Sequence, residues 1–401
     1  MAEPWLSLIG IGEDGLDGLT SAARAALEAA GAVFGGPRHL ALAGAGARGK
    51  PWPVPFSTAP VLDLRGRPVA VLASGDPFWH GAGGSLARDL SPGEWRAFPA
   101  PSTASLAAAR LGWRLEEVTC LALHAAPFAE ARRHLAPGAR LLCLLRDSAA
   151  VTEFSRWLAA QGFGPSRVWR LEALGGPRER VEEATAEALA AGAAVAADPA
   201  GPPVALAVEA AGGPALPHAS GLADALFDHD GQITKRPVRA LTLSALAPCP
   251  GEHLWDIGLG SGSISIEWLL AAPGTRASGI ETDPARAARA RANAEAFGVA
   301  RRLTVTEARA PAGLDRLAPP DAVFVGGGAS DALFAALWGR MPAGARLVAN
   351  AVTLETEALL SHWSAAKGGS LLRIELAEAE PLGSRRGWVA ARPVVQWSVR
   401  K

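Results

Sequence analysis

Short runs of apolar and β-branched residues alternate with longer amphipathic runs rich in Ala, Leu and Arg along the whole chain. The short runs are typical of buried strands, and the longer ones are typical of the helices that cover a sheet. This alternation predicts α/β layers with mostly parallel sheets. In the first half it predicts a helix from Thr20 and the strands Trp5–Ile9, Val69–Leu72, Thr119–Leu123, Ala139–Leu145, Arg167–Leu171 and Pro203–Val208.

Residues 210–220, with the sequence AAGGPALPHAS, interrupt the alternation with small residues, Gly and Pro. This composition is typical of a linker between domains. A chain of 401 residues also agrees with two domains, because a domain has roughly 150 residues. We therefore expect one domain over residues 1–212 and a second over residues 213–401.

The strand–helix alternation resumes after this linker. The predicted helices are Arg236–Leu246, Ile264–Leu270, Pro284–Phe297, Asp331–Trp338 and Leu354–Ala365. The predicted strands are His253–Ile257, Ala277–Ile280, Leu303–Thr306, Ala322–Val325, Arg346–Ala349, Ser370–Leu376 and Val394–Val399. No long helix is predicted between the last two strands, so we expect them to form an antiparallel hairpin at one edge of the sheet.

A glycine-rich motif, LWDIGLGSG, links the first strand of this half to the next helix. Gly258, Gly260 and Gly262 would let the backbone approach a ligand closely at the start of a helix, where backbone N–H groups are free. Ser263 stands where the dinucleotide fingerprint has its third glycine, and Asp256 precedes the turn. The motif therefore indicates a nucleoside-like ligand other than a dinucleotide.

The charges around this turn favour a cationic ligand. Glu281 ends the next predicted strand, where a carboxylate can accept both hydroxyls of a ribose. Asp256 would repel a pyrophosphate but suits the cationic methionine end of S-adenosylmethionine, so we predict that cofactor. The alternative is that Asp256 and Glu281 only cap helices.

Two further loops should line the same crevice, because the carboxyl ends of parallel strands meet at one edge of a sheet. The loop that contains Glu307 and Ala308 would lie over the adenine. A triple glycine, 326–328, precedes a predicted helix and could bind an anion, although a loose turn would give the same pattern. The candidate catalytic residues of this crevice are Gly327, Gly328, Ser330 and Asn350.

The first half has two glycine-containing loops of its own. GIGEDG follows the first predicted strand, and ASGDPF follows a later one. Neither has the GK[ST] ending of a phosphate-binding loop, and ordinary turns at strand ends are the alternative. His80 and His124 stand alone in the sequence and are interpreted as structural residues.

Composition narrows the function further. Lys plus Arg and Asp plus Glu each number 39, so the chain lacks the basic excess of a nucleic-acid-binding protein. The three cysteines form no CxxC pair, so neither a disulfide framework nor a metal site is predicted. No signal peptide or apolar run long enough for a membrane span is evident, and a cytoplasmic location is expected.

Taken together, these motifs resemble two methyltransferase families. The first half resembles the tetrapyrrole methylases of cobalamin biosynthesis through GIGEDG, SGDPF, PSTASLAAARLG (101–112) and LGGPRER (174–180). The second half resembles the precorrin decarboxylating methyltransferases through GQITK (231–235), DIGLGSGS, FVGGG and NAVTLE (350–355). Their order is that of the fused precorrin-6Y C5,15-methyltransferases (decarboxylating).

The resemblance implies a two-lobed tetrapyrrole methylase fold followed by a seven-stranded class I (Rossmann-like) methyltransferase fold. It implies methylation of carbon 5 of precorrin-6B in 1–212, and methylation of carbon 15 with loss of the ring C acetate carboxylate in 213–401. S-adenosyl-L-homocysteine and precorrin-8 would be the products, and a homo-oligomer is expected. The cofactor-binding residues that it adds are Gly10, Gly12, Gly75, Asp76, Pro77, Ser102, Thr103, Gln232 and Thr234.

Three positions depart from the family pattern. Ser102–Thr103 stands where a pair of serines is usual, Arg236–Pro237 replaces a Glu, and His124 is not followed by Gly-Arg.

Two other functions stay open at this point. The second half could methylate RNA or another small molecule, although the net charge of zero disfavours RNA. The first half could be a vestigial lobe without catalytic activity.

Overall fold

The computed structural model describes residues 4–192 and 204–401, and their packing separates two units. The first unit comprises Met1–Phe128 and His134–Ala215, and the second comprises Ala129–Arg133 and Leu216–Lys401. The boundary between the two units, after Ala215, lies inside the predicted linker 210–220. Pro203, with which one predicted strand begins, lies outside the described residues.

The first sheet of the first unit is parallel and has the order β3-β2-β4-β1-β5. Its strands are β1 (Leu6–Ile11), β2 (Ala32–Gly35), β3 (Gly49–Pro51), β4 (Val69–Ser74) and β5 (Trp95–Phe98). Its helices are α1 (Ser21–Ala29), α2 (Pro37–Leu42), α3 (Ala59–Leu62) and α4 (Gly83–Leu86). Thr20 is the N-cap of α1, as a helix beginning there requires. Neighbouring β1 and β4 end together, with Ile11 opposite Ser74.

The second sheet of the first unit has the order β6-β7-β10-β8-β9. Its strands are β6 (Val118–Ala122), β7 (Arg140–Leu145), β8 (Arg167–Glu172), β9 (Arg180–Thr185) and β10 (Val204–Glu209). Its helices are α5 (Thr103–Leu111), α6 (Ser148–Leu158) and α7 (Ala186–Ala191). Here the expectation of a mostly parallel sheet was wrong, because β10 runs antiparallel to both β7 and β8. The connection 173–179 is also too short for a crossover helix, so β8 and β9 pair antiparallel.

The second unit contains a seven-stranded sheet of order β13-β12-β11-β14-β15-β19-β16. Its first strands and helices are α8 (Arg236–Leu246), β11 (His253–Ile257), α9 (Ser263–Ala271), β12 (Arg276–Glu281), α10 (Pro284–Ala296) and β13 (Leu303–Glu307). They are followed by β14 (Ala322–Val325), α11 (Asp331–Arg340), β15 (Arg346–Ala351), α12 (Leu354–Lys367), β16 (Ser370–Ile374) and β19 (Val394–Arg400). The strand order reverses between β11 and β14, which is the position where doubly wound sheets bind ligands.

At the edge of this sheet, the pairing of the last two strands agrees with the prediction, but the way the chain connects them does not. β16 and β19 are antiparallel neighbours at the edge, as expected. They do not form a simple hairpin, because a separate two-stranded ribbon lies between them in the chain. That ribbon is formed by β17 (Ala377–Leu382) and β18 (Arg385–Ala390).

Apolar side chains bury both faces of the seven-stranded sheet. Trp397, Phe334 and Leu337 belong to the core that α11 and α12 cover, and Trp268, Leu246 and Phe324 belong to the core that α8 and α9 cover. Burial on both faces explains why β14 is a continuous apolar run and why β11 is buried along its whole length. Within residues 4–192 and 204–401, no helix has both the length and the apolar character needed to cross a bilayer.

A buried ion pair anchors the chain that leads into this sheet. Arg239 of α8 is fully buried, and its Nε donates to Oε1 of Glu267 at 2.5 Å. Its Nη1 donates to Oδ1 of Asp224 at 3.0 Å. The Glu267 carboxylate also accepts from the backbone N–H groups of Gly221 at 2.6 Å and Leu222 at 2.9 Å. The segment before α8 is therefore fixed through side chains of α8 and α9.

We expect Arg239→Met to destabilise the second unit by about 3–5 kcal/mol, because it leaves the Glu267 carboxylate buried without its cation. Chemical denaturation of the full chain, followed by fluorescence and far-ultraviolet circular dichroism, would measure the loss. Arg340→Met is the matched control, because its pair with Asp315 is exposed and should contribute less than about 1 kcal/mol. Equal losses in the two variants would contradict this prediction.

Candidate functional site

The glycine-rich loop of the second unit requires glycine for two separate reasons. Gly258, Gly260 and Gly262 have φ of +75°, +57° and +77°, a region that other residues rarely adopt. A Cβ on Gly258 would also lie 2.8 Å from the backbone nitrogen of Gly327. The loops after the neighbouring strands β11 and β14 therefore contact each other through their backbones.

Asp256, at the end of β11, is buried with one unsatisfied oxygen. Its Oδ2 accepts from the Ser265 hydroxyl at 2.7 Å, whereas Oδ1 has no hydrogen-bond partner among the described residues. The hydroxyl of Ser261, in the glycine-rich loop, is likewise buried without a partner there. Burial and the nearby Glu281 carboxylate raise the pKa of Asp256 to about 7, against the opposing effect of Ser265. The unpartnered Asp256 oxygen therefore suits a ligand that brings a cation or an N–H donor.

The carboxylate of Glu281 lies between the glycine-rich loop and the turn after β12. Its Oε2 accepts from the Gly260 N–H at 2.8 Å, and its Oε1 accepts from the backbone N–H groups of Thr282 at 2.9 Å and Asp283 at 3.0 Å. The Thr282 hydroxyl also donates to Oε1, at 3.4 Å, whereas Oε2 accepts only from Gly260 among the described residues. Each carboxylate oxygen has two lone pairs, so Oε2 can still accept from a ligand hydroxyl. Gly262 and Asp283 are the N-caps of α9 and α10, so neither Asp256 nor Glu281 has that role.

The residues predicted to lie over the adenine are directly beside Glu281. Glu307 is opposite Glu281 in the β12–β13 register, and it forms an ion pair of 2.8 Å with Arg291. The Ala308 N–H donates to the Glu281 carbonyl at 2.9 Å. β13 therefore brings its loop to the same end of the sheet as the glycine-rich loop.

Asn293 of α10 holds the segment around Gln232 against this loop, and sequence analysis missed it. Its Nδ2 donates to the carbonyls of Asp228 and Ser261, each at 2.9 Å, and its Oδ1 accepts from the Asp228 N–H at 2.8 Å. The Gln232 carbonyl lies 4.0 Å from where a Cβ on Gly260 would be. The only hint in the sequence is an Asn within an Ala- and Arg-rich helix. The carbonyl of Thr234 accepts from the Arg239 guanidinium.

The 326–330 loop is open at the start of α11. A Cβ on Gly327 or Gly328 would meet no heavy atom within 4 Å. Ser330 is the N-cap of α11, and its Oγ accepts from the Leu333 N–H at 3.2 Å. Its hydroxyl proton stays available, so the loop can offer backbone N–H groups and one hydroxyl to an anion.

Asn350, at the end of β15, is held in a polar network rather than left open. Its Nδ2 donates to Thr242 Oγ1 and its Oδ1 accepts from Gln396 Nε2, both at 3.0 Å. Gln396 also donates to Thr242 at 3.0 Å, and both of these residues are buried. The sequence did not indicate Thr242 or Gln396, because their pairing depends on how α8 packs on β15 and β19.

In the first unit the predicted loops also meet through their backbones. A Cβ on Gly10 would lie 1.7 Å from the carbonyl oxygen of Gly75 and 2.7 Å from the nitrogen of Ala100. Gly75 has φ +60°, and its Cβ would lie 2.6 Å from Cα of Ser102. A Cβ on Gly12 would lie 2.6 Å from Asp14 Oδ1. The ends of β1 and β4 and the start of α5 therefore converge on one point.

Side-chain hydrogen bonds shape the two turns at this point. Asp76 Oδ1 accepts from the Phe78 N–H at 2.8 Å, and a Cβ on Gly81 would lie 2.5 Å from the Pro77 carbonyl oxygen. Ser102 is the N-cap of α5, and its Oγ accepts from the Ser105 N–H at 3.1 Å. These two hydrogen bonds fix the turn after β4 and the start of α5.

A small, largely apolar cavity lies beside the start of α5. It is lined by Trp79, His80, Thr103, Ala104, Ala107, Cys120, Leu121, Leu142, Leu144 and Ala205. His80 has φ +57°, a strained conformation for a residue other than glycine. Burial and the charge of His80 lower the pKa of His124, so two histidines that looked isolated in the sequence are electrostatic neighbours.

Two family models match the chain in sequence. Residues 6–190 match the tetrapyrrole (corrin/porphyrin) methylases, and residues 225–401 match the precorrin methyltransferase domain. Among solved structures, the C-terminal domain of precorrin-6Y C5,15-methyltransferase from Rhodobacter capsulatus is 52% identical. The match covers 46% of this chain and 100% of the Rhodobacter domain, with a TM-score of 0.45.

Curated relatives match both halves together. The precorrin-6Y C(5,15)-methyltransferase [decarboxylating] of Sinorhizobium sp is 50% identical over 409 residues, which cover 100% of this chain and 97% of the relative. The protein of the same name from Mycobacterium tuberculosis is 38% identical and covers 98% of this chain and 99% of the relative. The chain therefore belongs to the precorrin-6Y C(5,15)-methyltransferase (decarboxylating) family.

Proposed function

We propose that this protein transfers methyl groups from S-adenosyl-L-methionine to carbons 5 and 15 of a precorrin-6 type tetrapyrrole and removes the ring C acetate carboxylate, giving precorrin-8. The observation that carries the proposal is the 50% identity to the Sinorhizobium enzyme across the whole chain. S-adenosyl-L-homocysteine would be the second product, and precorrin-6B the substrate. The cytoplasmic location and the homo-oligomer stay predictions.

The second unit has the groups that such a cofactor needs. When bound, S-adenosyl-L-methionine supplies an electrophilic methyl group on a cationic sulfur. Asp256 has a buried oxygen without a partner in the described part of the chain, which suits a cationic donor, and Oε2 of Glu281 has a lone pair for a ribose hydroxyl. Gly258 and Gly260 let the ligand approach the backbone, and the Gln232 carbonyl lies 4.0 Å from where a Cβ on Gly260 would be.

The first unit supports a second donor site. Gly10, Gly75 and Ser102 bring three backbone segments together, and the residue after Ser102, Thr103, lines a small apolar cavity. An apolar wall next to a few convergent polar groups is typical of small-molecule sites. We assign carbon 5 methylation to residues 1–212 on this basis.

The residues of the chain act mainly by positioning. Carbons 5 and 15 are meso carbons of an enamine-like π-system and are nucleophilic already, so the protein need only align them with the methyl group. Such alignment contributes up to roughly 7–11 kcal/mol. The absence of a predicted acid–base pair in the sequence agrees with this mechanism.

We assign decarboxylation and carbon 15 methylation to residues 213–401. The open 326–330 loop at the start of α11 is the carboxylate cradle, with Gly327, Gly328 and Ser330 as its donors. The carbon–carbon bond to the carboxylate breaks, the conjugated macrocycle accepts the electron pair as carbon dioxide leaves, and a proton from solvent completes the methyl group that remains on ring C. Asn350 is held by Thr242 and Gln396 next to this end of the sheet, which suits a fixed hydrogen-bonding role.

Mass spectrometry of the product tests the whole proposal. The full chain is incubated with precorrin-6B and S-adenosyl-L-methionine carrying a labelled methyl group. The product should gain two labelled methyl groups and lose one carbon dioxide. Labelling of bulk RNA instead of precorrin-6B would support the RNA methyltransferase alternative and contradict the proposal.

The raised pKa of Asp256 predicts that donor binding at the second unit depends on pH. Below a pH of about 7 the carboxyl is protonated and neutral, and above it the carboxylate forms and attracts the cation. Affinity should therefore rise as the pH increases from about 6 to about 8, by at most about tenfold per pH unit. Calorimetry in buffers of different ionisation heat should detect proton release on binding.

The matched variant for this titration is Asp256→Asn, which keeps the shape of the side chain without its charge. In this variant the donor affinity of the second unit should become independent of pH. The first unit's site serves as the internal reference in the same titration. Proton release that persists in Asp256→Asn would contradict the assignment.

Gly327→Val should block the second unit's chemistry without disturbing its fold. The substituted Cβ meets no heavy atom within 4 Å, but the added methyl groups occupy the space that a carboxylate needs. We expect decarboxylation and carbon 15 methylation to fall about a hundredfold, so that the product carries one new methyl group and keeps its carboxylate. Gly339→Val, at another open position, is the control. Loss of carbon dioxide at the original rate in Gly327→Val would refute the cradle.

A further inference from the structure

A charged cluster lies at the ends of β1 and β4 in the first unit, and the proposed donor site does not use it. Glu13 follows β1, and its side chain is only 5% exposed. Its Oε1 is paired with the Arg38 guanidinium, and its Oε2 is paired with Nη2 of Arg178 at 3.3 Å. One buried carboxylate therefore holds two guanidinium groups in place.

The other amino group of Arg38 reaches the end of β4. Its Nη2 donates to Ser74 Oγ at 2.6 Å and to His39 Nε2 at 2.8 Å. Because a guanidinium can only donate, His39 Nε2 accepts and the ring is neutral, with its proton on Nδ1, which has no partner among the described residues. Ser74 Oγ also lies 2.8 Å from Nε2. The single lone pair of Nε2 can accept from Arg38, which leaves the Ser74 hydroxyl proton for a ligand. Burial and Arg38 lower the pKa of His39 to about 4, which agrees with a neutral ring. His39 therefore fixes Arg38 without adding charge.

The cluster has one excess positive charge and an open side. Two guanidinium groups face one carboxylate, whereas Ser74 is exposed and the Arg178 side chain is 62% exposed. A single net positive charge, with a hydroxyl and guanidinium N–H donors, matches a monoanionic carboxylate. It matches a dianionic phosphate less well, because Glu13 already neutralises one of the two cations.

The position of the cluster relates it to the substrate. Ser74 directly precedes Gly75, and Glu13 directly follows Gly12, both of which belong to the converging loops. A Cβ on Gly176 would lie 2.4 Å from Cβ of Glu13, so the 174–180 motif packs on the same side chain. A ligand at Ser74 and Arg178 would therefore lie next to the methyl-donor loops of the first unit.

We propose that Ser74, Arg38 and Arg178 bind a carboxylate side chain of the tetrapyrrole during carbon 5 methylation. Glu13 is the positioning residue that fixes both guanidinium groups. This inference rests on the proposed function and names the part of the first unit that recognises the substrate. The carboxylate accepts from Ser74 Oγ–H and from the guanidinium N–H groups, and no covalent bond changes at this site.

Steady-state kinetics of the full chain with precorrin-6B test the site. Arg178→Gln and Ser74→Ala should each raise the KM for carbon 5 methylation about tenfold or more. The affinity for S-adenosyl-L-methionine, measured by calorimetry, and the melting temperature should stay within error of the wild type. Arg114→Gln is the matched control, because that arginine is 72% exposed and pairs with Glu116 and Glu117.

An unchanged KM in both variants would overturn the site, and so would a lower melting temperature with KM unchanged. If the wild-type chain transfers no methyl group to precorrin-6B, the proposed function fails, and a separate measurement decides on the site. Uroporphyrin, a tetrapyrrole with eight carboxylates, is then the probe, and quenching of its fluorescence reports binding. Quenching that is equally strong in Arg178→Gln, Ser74→Ala and the wild type would overturn the carboxylate site by itself.

Discussion

The buried guanidinium of Arg239 determines how the second unit closes around its glycine-rich loop. Residues 221–235 contain one short helical turn and no strand, so their backbone groups have few partners of the usual kind. Glu267 accepts two of their N–H groups, while Arg239 donates to the carbonyls of Leu222 and Thr234. Burying a charge costs stability unless its hydrogen bonds are satisfied, and this segment satisfies them. Asn293 anchors the middle of the segment, which places Gln232 beside Gly260.

In both units, glycines from distant parts of the chain allow the loops at the ends of two neighbouring strands to come into backbone contact. Gly10 and Gly75 belong to the ends of β1 and β4, and Gly258 and Gly327 belong to the ends of β11 and β14. In each sheet these strands are neighbours, although many residues separate them in sequence. The loops approach so closely that a Cβ on Gly10 would overlap the backbone of Gly75, and a Cβ on Gly258 would overlap the backbone of Gly327. A substitution at Gly10 or Gly258 would therefore displace the opposite loop, whereas Gly327 itself has space for a side chain.

Sequence patterns predicted the elements whose signal is local and strong. The strand β14 is a continuous apolar run, and β11, β12 and β15 are short, largely buried segments. The helices that alternate with them are longer segments rich in Ala and Leu. The pattern missed β2 and β5, which are only four residues long, and β9, which is charged and mostly exposed. It also assumed parallel pairing in the second sheet of the first unit. The glycine loops were visible as motifs, but the roles of Asn293 and Glu13 depend on contacts between distant segments and leave no local pattern.

The two proposed carboxylate sites differ in a way that agrees with the chemistry proposed for each half. A carboxylate bound by guanidinium groups, as in the Ser74 site, is stabilised as an anion, which suits a side chain that must only be held. Decarboxylation moves the negative charge from the carboxylate into the macrocycle, so strong stabilisation of the initial anion would raise the barrier. The 326–330 loop offers uncharged N–H groups and a hydroxyl instead. Under the proposed function, it can orient the departing carboxylate while stabilising its charge less than a guanidinium would.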